Sequence, residues 1–434
     1  MRRFKTFIDW ALKIIKEHGG YFVTTFIYSA LPLLFLPILT RYLEPAEYAN
    51  ISLFNFYLAI SNSLAGTSIP AMVSKNFFDK PKEYIAQIIG NSIFIVFALS
   101  LLLFLLLYIF SSVLLPYVDL PLFWFLIIPW CSFFFIIFNI TLTVLRNQKK
   151  VLSFSYHKIA NISINISLSL AFIVLLMWGW EGRLWGVFLS FVISSFIAIY
   201  YLWKNEYLNF KISKKIIKKT LNLLLYLLPN SFQAIIISQI GIFFMQLYFT
   251  KELLGIYSVG FQVSFAIKLL YMTIGLSWAP YLYEIFSTPK NINKSHLVKL
   301  FYFLFFILLS GVIFINIFSE TILKIFTTSS YYTAKVYIIW FSLGYLFNGL
   351  IVFITPILIK LEKQKQITKI SFVNMIIMIV LNIFLSKTFG PIGIAYAFCI
   401  TYFLMLLSFV RAMQKSFPLP WLSFSIFKPI SFKK

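Results

Sequence analysis

Twelve apolar segments, each about twenty residues or longer, run through this chain, and no gap between them is long enough to hold a folded soluble domain. A stretch of that length crosses a hydrocarbon core as a helix, because a helix satisfies its own backbone hydrogen bonds where water is absent. The segments cover approximately residues 21–42, 49–72, 86–113, 121–145, 154–178, 184–203, 222–248, 255–282, 298–318, 333–359, 367–387 and 391–412. Composition agrees: 61% of residues are hydrophobic and the mean hydropathy is +0.90, against ~45–50% apolar in soluble domains. The sequence therefore predicts an all-α integral membrane protein with 12 transmembrane helices.

The cations set its orientation. Thirty of the 37 lysines and arginines fall at the N-terminus and in alternate gaps, at Lys75–Lys82, Arg146–Lys158, Lys204–Lys219, Lys290–Lys299, Lys360–Lys369 and from Arg411 onward. The intervening gaps hold six: Arg41, Arg183, Lys251, Lys324, Lys335 and Lys387. Short loops rich in Lys and Arg stay in the cytoplasm, so both termini are expected there. A net charge of +24 would otherwise raise nucleic-acid binding, but no basic soluble domain exists to carry it, and membrane lipids with anionic headgroups are the simpler partner. Cys131 and Cys399 lie in apolar runs without metal-ligand spacing, so neither a metal site nor a disulfide framework is expected. Residues 3–17 place Phe4, Phe7, Ile8, Ala11, Leu12 and Ile15 on one helical face, predicting an amphipathic helix in the cytoplasmic interface within residues 1–20.

The two halves resemble each other. Tyr42–Ala49 after the first span corresponds to Tyr248–Gly255 after the seventh. The basic run Arg146–Lys150 matches Lys360–Lys365, and Gly182-Arg183-Leu184-Trp185-Gly186 matches Gly390-Pro391-Ile392-Gly393. Each pair lies 206–214 residues apart, in one order. Six spans per repeat is an even number, so the copies share an orientation, with pseudo-two-fold symmetry about the membrane normal. The expected organisation is an N-terminal lobe over residues 21–210, a C-terminal lobe over 211–416, a central cavity, and a cytoplasmic tail over 417–434.

Charge inside the membrane is scarce. All thirteen acidic residues fall at segment borders or in loops, whereas Lys268 sits near the middle of the eighth segment. A cation at that depth is costly and usually functional, and it needs an anionic or polar partner. Amides on neighbouring spans are candidates to line a cavity: Asn55 and Asn62 on the second, and Asn230, Gln233 and Gln239 on the seventh. Each could equally hold helices together. Asn62 is the repeat partner of Lys268 at the 206-residue offset. Lys75 and Arg146, nearer the span ends, read as a cytoplasmic cationic rim.

The stretch Arg41-Tyr42-Leu43-Glu44-Pro45-Ala46-Glu47-Tyr48, the later Lys75-Asn76-Phe77-Phe78, and Gly255-Ile256-Tyr257-Ser258 resemble the bacterial polysaccharide-biosynthesis flippases. These O-antigen (Wzx-type) transporters belong to the multidrug/oligosaccharidyl-lipid/polysaccharide exporter superfamily. The resemblance covers essentially the whole chain. It implies a transporter, coupled if at all to a proton or sodium gradient and with no cofactor; the short external gaps, which hold no paired-carboxylate site, predict no enzyme activity. Its cargo would be an undecaprenyl-diphosphate-linked oligosaccharide of the O-antigen, lipopolysaccharide or capsule kind, moved to the periplasmic leaflet by alternating access. A polysaccharide polymerase and a chain-length regulator would be its protein partners. Two departures stand out: the Asp-Arg pair many relatives carry in the seventh span is here Gly241-Ile242, and the first span lacks the acidic residue of the drug-extruding branch. A cation-coupled multidrug-type antiporter remains the alternative, with a membrane-embedded polysaccharide polymerase behind it.

Overall fold

The computed structural model describes residues 24–287 and 294–421; the helix expected over residues 3–17 and most of the 417–434 tail lie outside them. The described residues are helical throughout, without a strand. Among the described residues, eleven helices are long and apolar enough to cross a bilayer. Two compact units divide the packing, one ending at Ser258 and the other starting at Val259.

The first unit contains α1 (Thr24–Tyr42), α2 (Pro45–Ala65), α3 (Pro70–Asn76), α4 (Lys82–Ile109), α5 (Ser111–Val118), α6 (Leu122–Asn147), α7 (Val151–Leu170), α8 (Gly179–Lys204) and α9 (Lys214–Tyr248). Helix α6 is its centre, packed against α2, α4 and α8. By contrast α4 turns Phe94, Phe97, Leu102, Leu105 and Ile109 outward. In water so wide an apolar face would aggregate; in a bilayer it meets its own kind.

The segment expected at 49–72 is two helices. Helix α2 starts with Pro45 at its first position and a Glu44–Glu47 capping box, and it ends on Gly66 in the left-handed region (φ 115°). It is the one long helix outside the eleven, since Asn50, Ser52, Ser61 and Ser63 interrupt its apolar surface. The hydroxyls of Ser61 and Ser63 are used against neighbouring helices rather than lipid. Ser132 of α6 donates to Ser61 at 2.8 Å, and Ser63 shares a 2.8 Å hydrogen bond with Ser231 of α9.

The basic connection expected over 204–221 is half helix, because Lys214–Lys219 form the first turns of α9. Its remainder is strapped to the start of α4. Asn209 N donates to Ala86 O at 3.2 Å, while Asn91 both donates to Lys211 O (3.0 Å) and accepts from Ser213 N (2.9 Å). Lys82 pairs with Glu206 at 2.7 Å and holds that carboxyl below the usual range, and Tyr207 stacks on Phe77. By sequence repeat α9 opens the second half; by packing it goes with the first, lying against α2 and α4.

The second unit contains most of α10 (Lys251–Ser287), then α11 (Lys294–Ile317), α12 (Ser319–Phe326), α13 (Lys335–Lys360), α14 (Gln364–Phe389) and α15 (Pro391–Ser416). Helix α13 is its core. Trp278 Nε1 of α10 donates to Phe353 O at 2.7 Å, Ser264 Oγ to Ile338 O at 3.1 Å, and Asn316 of α11 to Ser342 at 2.9 Å. Val373, Ile376, Val380 and Phe384 of α14 face outward at helical spacing.

One packing device occurs in both units. A side chain on Gly186 of α8 would meet Ser169 of α7, its Oγ at 2.2 Å and its Cα at 2.8 Å. One on Gly393 of α15 would meet the Leu385 carbonyl of α14 at 1.9 Å. Each glycine lets the last helix of a repeat lie directly on the backbone of the one before.

Candidate functional site

In the first unit a cavity of about 300 Å³ opens between α1, α3, α6 and α7. Phe135, Asn139, Thr143 and Arg146 enter it from α6 at spacings of four, four and three, one stripe of a single helix face. Thr25 of α1, Thr67 and Pro70 before and at the start of α3, and Phe154 and Lys158 of α7 complete the wall. The α6 polar groups turn partly inward on their own helix: Asn139 Nδ2 donates to Phe135 O and Thr143 Oγ1 to Asn139 O, both at 2.8 Å. That leaves the Asn139 carbonyl oxygen and the two cations to define the chemistry of the space.

Lys158 is half-buried. Its ammonium donates to Thr25 Oγ1 at 3.2 Å and lies over the Tyr28 ring at 4.8 Å and the Phe154 ring at 5.3 Å. Neither Lys158 nor Arg146 forms an ion pair among the described residues. A neutral hydroxyl and two aromatic faces are weak partners for a cation away from bulk water, worth ~0.5–2 kcal/mol per ring. An entering anion would gain more, through charge-assisted hydrogen bonds.

A third cation sits between α7 and α8. Arg183 Nη1 donates to Asn165 Oδ1 at 2.6 Å and to Ser169 Oγ at 2.7 Å, and the guanidinium lies over the Phe35 ring at 4.8 Å. Asn161 and Asn165 extend this network to Ser190 and Ser194 of α8. Arg183 also lacks an ion pair among the described residues.

Lys268 belongs to the second unit, eighteenth of the 37 residues of α10. At 1.5 Å per residue it lies about 25 Å from the start of α10 and about 28 Å from its end, near the middle of the helix. Its ammonium lies 5.0 Å from the Phe265 ring centre and has no hydrogen bond or ion pair among the described residues. One turn on, Asn348 donates to the Tyr271 hydroxyl at 2.7 Å; two residues before Ser264, the buried Gln262 Nε2 has no hydrogen-bond partner among the described residues. Among the described residues no carboxylate lies beyond the first or last turn of a spanning helix.

Of the residues singled out from sequence, Arg146 lines the cavity, whereas Lys75 is exposed at the end of α3. Asn62 keeps a buried Oδ1 without a hydrogen bond, although its backbone carbonyl caps α2 through Gly66 N and Thr67 N. Gln233 is buried (4% exposed), Gln239 is half-buried, and Asn55 and Asn230 are exposed. None of these five lines the 300 Å³ cavity. Sequence reading missed Lys158, Asn139 and Thr143. Lys158 had been counted among the orienting loop charges, but the polar stripe Asn139–Thr143–Arg146 in an otherwise apolar helix was a signal for a wet face of α6.

The sequence profile of a family described as "Polysaccharide biosynthesis protein" matches residues 15–286. No curated protein matches the sequence. Among solved structures, a multidrug resistance MATE family transporter of the MOP superfamily, in an inward-facing conformation, superposes with a TM-score of 0.69 at 16% identity, covering 89% of this chain and 94% of that one. The lipid II flippase MurJ, in an inward closed conformation, gives 0.69 at 18% identity, with coverage of 90% and 87%. The Vibrio cholerae MATE transporter VcmN in its bent form gives 0.55 at 14% identity, with coverage of 95% and 99%. At these identities the likeness is one of fold.

Proposed function

Since the chain belongs to the polysaccharide biosynthesis protein family, with the all-helical fold of the MOP superfamily exporters, we propose that it is a flippase for an undecaprenyl-diphosphate-linked oligosaccharide. It carries a repeat unit of O-antigen, capsule or exopolysaccharide type across a bacterial inner membrane by alternating access, with both termini cytoplasmic. The observation that carries this reading is the cavity of the first unit, where Arg146 and Lys158 stand without an ion pair to any carboxylate among the described residues. A diphosphate matches two uncompensated cations, and the Asn139 amide and the threonines suit sugar hydroxyls. Lys268 offers the second unit's cation to the same class of cargo.

The fold is shared with drug exporters, but a cationic drug would be repelled by Arg146 and Lys158 and would find no carboxylate deep in a span. Any coupling to a proton or sodium gradient would have to work without a buried carboxylate. The test is transport in proteoliposomes, measured as exposure of a fluorescent lipid-diphosphate oligosaccharide to an impermeant lectin. Lys158→Gln with Arg146→Gln should reduce the flipping rate at least tenfold while leaving the elution profile unchanged. Uptake of a cationic dye by the wild type, with no flipping of the lipid, would replace this reading with the antiporter one.

A further inference from the structure

A second cavity, of about 280 Å³, lies in the second unit among three spanning helices. Phe301 and Phe305 of α11, Leu350 and Ile354 of α13, and Leu406 and Val410 of α15 form its walls. Each pair is spaced by four residues, so each helix contributes one apolar stripe. The polar atoms nearby are already used. Tyr302 donates its hydroxyl proton to Trp421 O at 2.8 Å, and Trp421 Nε1 donates to Gln414 Oε1 at 3.0 Å. A polar occupant would therefore find no partner on these walls, and a hydrocarbon chain would.

The three helices end in cations close above it. Phe301 is seven residues into α11, and Ile354 and Val410 are six residues from the ends of α13 and α15, so the cavity lies about 10 Å below those ends. There stand Lys294 and Lys299 of α11, Lys360 of α13, and Arg411 and Lys415 of α15. Glu362 and Glu284 are the acids at neighbouring helix ends. Lys294 lies over the Phe417 ring at 4.8 Å, and among the described residues Lys294, Arg411 and Lys415 make no ion pair.

We propose that this is a binding site for an anionic phospholipid, with one acyl chain in the cavity and the headgroup phosphate on Lys294 and Lys415. An apolar slot opening beneath a cationic rim, at headgroup depth, has the polarity of that molecule end to end. The chain's own residues 422–434 are the competing occupant. They carry Lys428, Lys433 and Lys434 and no acid, so the rim that attracts a phosphate repels them. The proposal is independent of what the first unit transports.

The experiment uses the full-length protein, delipidated in a non-ionic detergent, with thermal unfolding followed as phosphatidylglycerol or phosphatidylcholine of identical chains is added. Phosphatidylglycerol should raise the unfolding midpoint saturably, and at lower concentration than phosphatidylcholine. Lys294→Gln with Lys415→Gln should weaken its apparent affinity about five-fold per lysine removed, erasing the preference. Val410→Phe, which fills the slot, should abolish the shift for both lipids. Because that variant can fail to fold, the lysine pair, at helix ends and without an ion pair among the described residues, decides on its own. Equal shifts for the two lipids, or a phosphatidylglycerol shift that survives the lysine pair, would overturn the proposal. So would a shift that appears only when the chain is cut after Trp421, since the tail would then be the natural occupant.

Discussion

Replacing Lys268 by methionine separates a functional cation from a structural one, because the two roles predict opposite signs. Methionine keeps an unbranched chain of similar length and removes the charge. A lysine at the centre of a spanning helix costs ~2.5–3.5 kcal/mol by insertion. The Phe265 face, 5.0 Å from the ammonium, returns ~0.5–2 kcal/mol of that. No hydrogen bond or ion pair among the described residues is lost with the charge. Lys268 is only partly buried, which trims the gain further. The balance is a folded state more stable by about 1–2 kcal/mol. Thermal unfolding in detergent should show Lys268→Met melting above the wild type, while lipid-linked oligosaccharide flipping in proteoliposomes is lost. Lys268→Arg should recover part of the transport, since charge is kept and donor geometry changed. A methionine variant that melts lower would mean that Lys268 holds the fold together. One that transports normally would remove it from the site altogether.

Other outcomes follow from the packing. Asn91→Ala deletes both side-chain hydrogen bonds of the strap, at ~0.5–1.5 kcal/mol each, and limited trypsin digestion should cut faster at Lys211–Lys219 than in wild type. Gly393→Ala presses a methyl on the Leu385 carbonyl and should cost about 3 kcal/mol; Gly186→Ala should cost somewhat less, because once the Ser169 hydroxyl rotates away the remaining backbone approach, 2.8 Å to Ser169 Cα and N, is looser, and fluorescence-detected size exclusion ranks the two. Hydrogen bonds from Lys324 and Lys335 hold the Glu320 carboxyl down at about 2, below its unfolded value of about 4.3. Its contribution is therefore present above about pH 5 and fades as pH falls toward 2, so melting differences between Glu320→Gln and wild type should close over that acid range alone.

Helix positions were legible because lipid imposes them: apolar length and alternating cations are one-dimensional signals, and eleven of the segments emerge as single helices. The second did not, because α2 is polar for reasons of contact with α6 and α9, which no local pattern reveals. Lys268 stood out by being alone in its segment. Lys158 was hidden among charges that orient the chain, and its role appears only when Thr25, Tyr28 and the α6 stripe are folded around it. Arg183 was hidden in the same way, by a motif that drew the eye to its glycines.

Those glycines carry a consequence for how such chains are identified in genomes. Gly186 and Gly393 are fixed by backbone contact inside a helical hairpin, so any cargo is compatible with them. Of the two, Gly186 lies within the matched residues 15–286, and a match resting on such positions follows architecture. A glycan assigned on them alone would rest on helix packing rather than on contact with the cargo. The informative columns of an alignment are those of Arg146, Lys158, Arg183 and Lys268, where the number and depth of cations can drift with the charge of whatever is carried.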